Sequence, residues 1–600
     1  MPQSVLQSAL SPRSVAVIGA SDNPHKVGGR PILYLQKYGY RGAIYPVNPG
    51  RETVQGLRAF ARLEDLPESP ELAIVAVAGD EAVRAVESCA ANGVKVAVVM
   101  ASGFGETGPE GLRVQQSLVE TARRAGMRLI GPNCQGLANF ATGVVANFST
   151  IFHELEARDG PVAIVSQSGA NSQAIYTLVH EKGLGVRHVH ATGNEADVSV
   201  ADLAAAVIED PGVRLLLLYM EAIKDPQGLA RAAEAARRKG IPIVALKAGR
   251  TARGQKAASS HTGALASEDR VVDAFFERHG IWRAADPQEL VSAAALYLSG
   301  RRPGGKRLVV ISNSGASCVM AADYSEQRGI PLANVSQEAR ARLSKALPGF
   351  AAFDNPIDVT GALLGNPQLL GAVLPTVGDD ARSDLALLAL PVAGTGYDVP
   401  RFARDLADFQ QQYGHAVALA APQPSVRAPF EEAGIATFAS ERAAMDALAQ
   451  LADHAALLRR EPAPVAAVPA VGETRLLNEA EGLALLAQAG IPVVEHRLCR
   501  HEDEIVAACQ ALGGDVVLKA CSRDIPHKSD HGLVALEVQD PVSEFQRQRR
   551  RVVELGAGFD GMIVARRAAK GGRELALGAR IDAQFGPVVL VGDGGIYLEA

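Results

Sequence analysis

The 600-residue sequence predicts a multidomain α/β protein built on doubly wound, mainly parallel sheets. Three observations carry that reading. Short apolar runs alternate with amphipathic stretches of helical length along most of the chain. A hydrophobic content of 48% over 600 residues is too much for one core and implies roughly three to five domains. The apolar runs end in turns rich in glycine and serine, the feature with which a parallel sheet hands a strand over to a helix.

Taken in order, SVAVIGA (14–20), AIYPVNP (43–49), LAIVAVAG (72–79) and VKVAVVMASG (94–103) predict the buried strands of a first unit, with helices such as DEAVRAVESCAANG between them. A second series follows at PVAIVSQSG (161–169), VRLLLLYMEA (213–222) and IPIVALKAG (241–249). A third begins at RLVVISNSG (307–315), after the turn-rich RRPGGK. The Pro-, Ala- and Val-rich EPAPVAAVPAVGE (461–473) has neither helical nor strand periodicity and predicts a semi-extended linker to a fourth unit. The expected domains are therefore 1–145, 146–303, 304–460 and 474–600, with 461–473 as the linker.

Composition narrows the function. The net charge of -6 comes from 66 acidic and 60 basic residues without long blocks, so neither a nucleic-acid footprint nor a polybasic membrane patch is expected. Cys89, Cys134, Cys318, Cys499, Cys509 and Cys521 show no CxxC spacing, which argues against a disulfide framework or a zinc site and fits a reducing cytoplasm. No basic N-terminal region precedes an apolar stretch, and no uncharged apolar run approaches the roughly 18 to 20 residues that span a bilayer. Small-molecule chemistry in the cytoplasm is the expectation.

An internal near-repeat is the first specific signal. PVAIVSQSGANSQAIYTLVHEKGLG (161–185) and RLVVISNSGASCVMAADYSEQRGIP (307–331) share the order strand, Ser-x-Ser-Gly-Ala, helix, glycine. Each alone reads equally well as an ordinary turn with capping serines. As a pair, Ser166, Ser168 and Gly169 with Ser312, Ser314 and Gly315 offer two helix N-termini able to face one phosphate or oxyanion. In the first unit, VIGASDNPHKVGG is not GxGxxG, and the second strand ends in PVNP instead of an acidic residue, which disfavours a nicotinamide enzyme. Gly19, Ser21, Lys26 and Arg30 lie where amides and cations could meet a pyrophosphate. His261, in SSHTGALA (259–266), follows a strand and has small neighbours. Glu221, ending LLLLYMEA, could fix its tautomer and leave the other ring nitrogen free to carry a phosphoryl group.

KAGRTARGQKAASSHTGALA resembles the phosphohistidine segment of the ADP-forming acyl-CoA synthetases, a family related to succinyl-CoA synthetase. VIGAS, PVNP and GPNCQG (131–136) resemble its Rossmann-like CoA-binding domain. VSQSGA with YMEAIKDP, and ISNSGA, resemble its two flavodoxin-like ligase domains. VVLKACSRDIPHKSDHGLVAL (516–536) and GGRELALGARIDAQFGPVVLVGDGGIYLEA (571–600) resemble its ATP-grasp domain, which is expected to be incomplete because the family continues beyond a GGIYLE-type segment.

The resemblance implies CoA, ATP/ADP and Mg²⁺ as cofactors, a small carboxylic acid as substrate, and a homo-oligomer. It implies that His261 is the phosphorylated histidine, Glu221 its orienting carboxylate and His527 a second histidine that relays phosphate on a mobile loop. Asn48, Ser102 and Asn133 join Gly19, Ser21 and Lys26 at CoA. Lys519 and Glu574 serve the nucleotide, and Glu599 the metal. Arg566 and Arg567 depart from the apolar or uncharged residues expected near the adenine. They leave open a CoA- or nucleotide-binding regulatory protein, or part of a protein acyltransferase with a degenerate synthetase module, although no segment reads as an acyltransferase domain.

Overall fold

A computed structural model describes residues 2–256, 268–349, 351–461, 475–568 and 571–594. The chain forms two compact units, residues 1–463 with 583–586 and residues 464–582 with 587–600. Strands are numbered below in chain order.

The first sheet contains β1 (Ser14–Ile18), β2 (Ala43–Val47), β3 (Leu72–Val75), β4 (Val96–Val99) and β5 (Arg128–Ile130). They are parallel, in the order β2-β1-β3-β4-β5. Every residue of β3 and β4 is buried, the expected result of near-continuous apolar runs covered on both faces. Ala73, Val75, Ala97 and Val99 pack on Ala82, Val86, Leu118 and Ala122 of the helices Asp80–Ala91 and Pro109–Arg124.

The second sheet is larger. It comprises β6 (Gly136–Asn139), β7 (Val144–Asn147), β8 (Val162–Ser166), β9 (Val186–Ala191), β10 (Leu215–Met220), β11 (Ile243–Lys247) and β12 (Ile281–Ala284), ordered β12-β11-β10-β8-β9-β6-β7. β8, β10 and β11 fall within the predicted runs, whereas no predicted run covers the parallel strands β9 and β12. The β6–β7 hairpin is antiparallel to β9 and carries the chain across the boundary expected at 145/146, so residues 136–147 belong to the second sheet. No apolar run announced this hairpin, since its strands are only four residues each.

The third sheet contains β13 (Leu308–Ser312), β14 (Ile357–Asp358), β15 (Leu385–Ala389), β16 (Ala416–Ala420) and β17 (Ala436–Phe438), in the order β14-β13-β15-β16-β17. Along β13 the side chains alternate between cores: Leu308 and Val310 join Leu215 and Leu217 of β10, while Val309 and Ile311 face Phe402 and Leu406. Another core joins Val96 and Val98 of β4 to Val165 and Leu216 of the second sheet. Shared cores tie the three sheets together, which sets the loops at the C-terminal ends of β4 and β5 against those of β8, β9 and β10.

The second unit has an antiparallel sheet of β18 (His496–Cys499), β19 (Val516–Cys521), β20 (Val534–Ala535) and β21 (Gly561–Arg566), ordered β18-β21-β19-β20. A separate two-stranded sheet holds β22 (Leu575–Asp582) and β23 (Gly586–Asp593). Among the described residues, no helix is long and apolar enough to cross a membrane.

Candidate active site

A cavity of about 290 Å³ opens where the strand ends of the first two sheets meet. Asn133, Cys134 and Gln135 line it from the loop after β5, Gln167, Ser168 and Gly169 from the turn after β8, Asn194 and Glu195 from the loop after β9, and Glu221 and Lys224 from the loop after β10.

The turn after β8 is built by its serines. Ser166 is fully buried; its Oγ donates to the Ser168 carbonyl at 2.6 Å and accepts from the Ser168 N–H at 3.1 Å. Ser168 caps the helix Gly169–Glu181 by accepting from the Asn171 N–H, and the helix N-terminus opens onto the cavity. Between the serines, the buried Gln167 links three strands. Its Nε2 donates to Glu195 Oε2 at 2.6 Å and to the Ala222 carbonyl at 2.7 Å, and its Oε1 accepts from the N–H groups of Glu221 and Ala222. The Glu221 backbone is thereby fixed. Tyr219, which donates to Glu221 Oε1 at 3.5 Å, has its hydroxyl pushed up to about 12 by burial and then by Glu221.

Glu195 and Lys224 line the same cavity as Glu221. Glu195, with a φ of +49°, accepts from Thr192 Oγ1 at 3.0 Å and from the Val200 N–H at 2.6 Å. Burial raises its carboxyl above the ordinary range against the pull of Lys224, and burial likewise lowers the Lys224 ammonium against the pull of Glu195. Lys224 Nζ donates to the Asn194 carbonyl at 2.5 Å. Burial also lowers the ammonium of Lys247, at the end of β11; Arg283 adds to this, while Asp269 and Glu221 oppose it. Cys134 is a structural thiol, donating to the Ala191 carbonyl at 2.8 Å and pushed up to about 12 by burial.

At the same end of the first sheet, Gly19 turns the chain at a φ of +81°, and an added Cβ would lie 2.6 Å from Val77 Cγ1. Asn48 Nδ2 donates to the Ala20 carbonyl at 2.7 Å, so the Asn48 amide shapes the turn; Gln55 Nε2 does the same for Ser21 and Gly29, at 2.9 and 2.8 Å. Lys26 and Ser102 are exposed beside this turn and the loop after β4. Asn133, at a φ of +56°, donates its N–H to the Ala101 carbonyl at 2.7 Å and its Nδ2 to Asn194 Oδ1 at 3.3 Å, joining this region to the cavity. Arg30 is committed elsewhere, to the Phe148 carbonyl at 2.8 Å.

In the second unit, Lys519 on the central strand β19 donates to Glu479 Oε1 at 3.0 Å, and Lys528 reaches the other oxygen of the same carboxylate. His527, next to Lys528, is exposed. Glu574 is exposed just before β22.

Residues 13–139 match the CoA binding domain family, residues 159–297 the succinyl-CoA ligase like flavodoxin domain family, and residues 470–600 an ATP-grasp domain family. Acetate--CoA ligase [ADP-forming] I of Archaeoglobus fulgidus is 32% identical over 98% of this chain and 86% of its own length. The chain belongs to the ADP-forming acyl-CoA synthetases. A trans-feruloyl-CoA synthase from an unknown prokaryotic organism is 31% identical to this synthetase, over 98% of this chain and 85% of that one. Among solved structures, the dinucleotide-forming acetyl-coenzyme A synthetase 1 of Ca. Korarchaeum cryptofilum, in complex with phosphate and ADP, matches with a TM-score of 0.67 and 28% identity over 76% of this chain and 98% of that one.

Of the residues expected to serve the synthetase, His261, Glu599 and nearly all of the 461–473 linker lie outside the described residues. Asn133, Ser168, Gly169 and Glu221 line one cavity. Ser312, Ser314 and Gly315 form the corresponding turn of the third sheet, where Ser312 Oγ accepts from the Ser314 N–H at 3.1 Å. Arg566 and Arg567 have acidic partners, Glu495 and Asp515, each at 3.0 Å. Sequence reasoning missed Gln167, Asn194, Glu195 and Lys224. Gln167 and Lys224 stand inside recognised motifs, VSQSGA and YMEAIKDP, whereas the TGNEAD loop carries no local signal for Glu195.

Proposed function

We propose that the synthetase forms its acyl-CoA through two phosphohistidines. His527 attacks the γ-phosphorus of ATP; the N–P bond forms as the bond to the β,γ-bridging oxygen breaks, and ADP leaves. The phosphoryl group passes to His261, and a carboxylate oxygen of a small carboxylic acid takes it to give an acyl phosphate. The CoA thiol then adds to the acyl carbon, loses its proton and expels Pi. Each displacement replaces a direct condensation with an easier transfer.

The observation that carries this reading is the convergence on one cavity of a capped helix N-terminus, Glu221 and the loop bearing Asn133. The helix N–H groups and dipole stabilise a phosphoryl group there, Glu221 orients the imidazole of His261, and Asn133 links the cavity to the turn of Gly19, Ser21 and Lys26 proposed for CoA. The turn of Ser312, Ser314 and Gly315 supplies a second helix end. On this reading residues 1–145 serve CoA, 146–303 and 304–460 the phosphohistidine, and 474–600 the nucleotide. As for Mg²⁺, Glu599 is the proposed donor of a hard carboxylate oxygen of the kind the ion takes together with phosphates, and Glu574 is proposed to serve the nucleotide. Among the described residues, no cluster of three or more His, Cys, Asp or Glu side chains assembles by itself.

Labelling the chain with γ-labelled ATP tests the relay. His527→Ala is expected to abolish labelling of His261 by ATP while leaving its labelling by acyl phosphate intact, and His261→Ala to abolish acyl-CoA formation. Turnover near the parent rate in His261→Ala would remove the phosphohistidine from the mechanism.

A further inference from the structure

The loop that carries His527 is anchored differently on its two sides. Before the histidine, Asp524 accepts from the Gly558 N–H at 2.8 Å, and Ile525, only 6% exposed, packs with Ala520, Leu533 and Val552. These contacts have no reason to change when a nucleotide arrives. After the histidine, the buried Leu533 returns the chain to the same core, but the residue next to His527 is held ionically: the Lys528 ammonium sits on Glu479, whose other oxygen holds Lys519 at 3.0 Å.

Glu479 is well placed to hold both. It is the first residue of the helix Glu479–Gln488, where the helix dipole favours a carboxylate. The preceding Asn478 caps that helix by accepting from the Glu481 N–H at 2.9 Å and donates to Asp560 Oδ2 at 2.9 Å, so the helix start is fastened to the chain just before β21. Burial raises the Glu479 carboxyl, but hydrogen bonds from Lys528 and then Lys519 outweigh it and hold the group below its ordinary value. Two ammonium groups thus share one carboxylate. Lys519 stands on the central strand and keeps its position, whereas Lys528 stands on the loop.

We infer that Glu479 is a positioning residue that couples nucleotide binding to the His527 loop, its carboxylate holding Lys528, and with it His527, more firmly once nucleotide phosphates take Lys519. This rests on the reading of Lys519 as a phosphate ligand and His527 as the relay. A polyphosphate carries more negative charge than one carboxylate, and an ammonium is a rotatable point charge, so phosphate oxygens draw Lys519 from Glu479 and leave the whole carboxylate to Lys528. The Glu479–Lys528 pair then tightens while Asp524 and Ile525 hold the other side, and His527 is presented to the nucleotide from a loop held on both sides of it.

The experiment uses the full chain in a His261→Ala background, so that label from ATP accumulates on His527. ADP affinity is measured by calorimetry in the presence of Mg²⁺, and His527 labelling by rapid quench. Glu479→Gln is expected to bind ADP roughly three- to tenfold more tightly, because a competitor for the lysines is gone, and to label His527 roughly tenfold more slowly, because the loop is no longer held. A general structural defect would weaken both. Lys528→Met, which leaves Glu479 on Lys519, is expected to slow labelling by a similar factor with ADP affinity within about twofold of the parent. It keeps the test open if Glu479→Gln fails to fold. Weaker ADP binding in Glu479→Gln, or an unchanged labelling rate in both variants, overturns the coupling. Absence of label in the parent overturns the relay itself, and the coupling with it.

Discussion

In both Ser-x-Ser-Gly-Ala turns the first serine is fully buried and accepts from the N–H of the second at 3.1 Å. In both, the amide between the serines donates to a carbonyl in the loop after the neighbouring strand: Gln167 to Ala222 at 2.7 Å, Asn313 to Val392 at 2.6 Å. There the likeness ends. The extra methylene of Gln167 brings its Oε1 onto the N–H groups of Glu221 and Ala222, whereas Asn313 Oδ1 has no partner among the described residues. Ser168 caps its helix with its side chain; Ser314 does not. The repeat therefore copies a backbone device, and the residue between the serines decides whether that device also fixes a carboxylate. The first turn is built to hold Glu221 in place. In the second, Asn313 fixes no carboxylate-bearing backbone in this way among the described residues.

The sharpest test makes the same substitution in both turns. Gln167→Leu is expected to lower kcat for acyl-CoA formation by roughly two to three orders of magnitude with little change in CoA affinity, because Glu221 loses its fixed backbone. Asn313→Leu is expected to stay within about threefold of the parent. Equal losses in steady-state assays would show that the turns share one role.

A second test concerns where the third-sheet region keeps its buried polar groups. Besides those of its turn they include His454, on the helix Glu441–Arg459, whose Nδ1 accepts from Tyr297 OH at 2.9 Å and whose Nε2 donates to the Gly280 carbonyl at 3.0 Å. Burial pushes this imidazole down to about 4, so the folded chain takes up fewer protons than the unfolded chain between that value and the ordinary one. The stability His454 provides is full above an unfolded pKa near ~6.5 and is lost as pH falls towards the folded value. Urea melts at pH 7 and pH 4.5 are expected to differ by roughly 2 kcal/mol more in the parent than in His454→Gln. An unchanged difference would mean that the imidazole is charged when folded.

The smallest effect concerns the caps. Ser168→Ala is expected to cost about 1 kcal/mol in melts at neutral pH, and Ser314→Ala close to nothing. A reversed order would break the comparison at its simplest point.

Much of this was legible in the sequence. The strands β1, β3, β4, β8, β10, β11 and β13 fall within the apolar runs that predict them, because strands buried on both faces need almost continuous apolar side chains. The Ser-x-Ser-Gly-Ala turns were visible because the device is local: a serine hydroxyl reaches a backbone N–H two residues on. The β6–β7 hairpin was not, since four-residue strands are too short to show a period. Glu195 and Lys224 were not either, since each is defined by a partner on another loop. Glu479 stands forty residues from Lys519 in sequence, and only the fold brings the two together at 3.0 Å.

What the sequence determined by itself was the list of parts: α/β units in order, two serine turns, the segments resembling a synthetase, and the chemistry those segments imply. Which part touches which was decided by tertiary structure. The order β12-β11-β10-β8-β9-β6-β7 puts β8 between β9 and β10, and only that adjacency lets one glutamine bond to both Glu195 and Glu221. Turns and strands arise from interactions a few residues apart, which a sequence displays directly. A buried carboxylate or ammonium takes its character from groups that chain topology brings to it, and no local pattern carries that information.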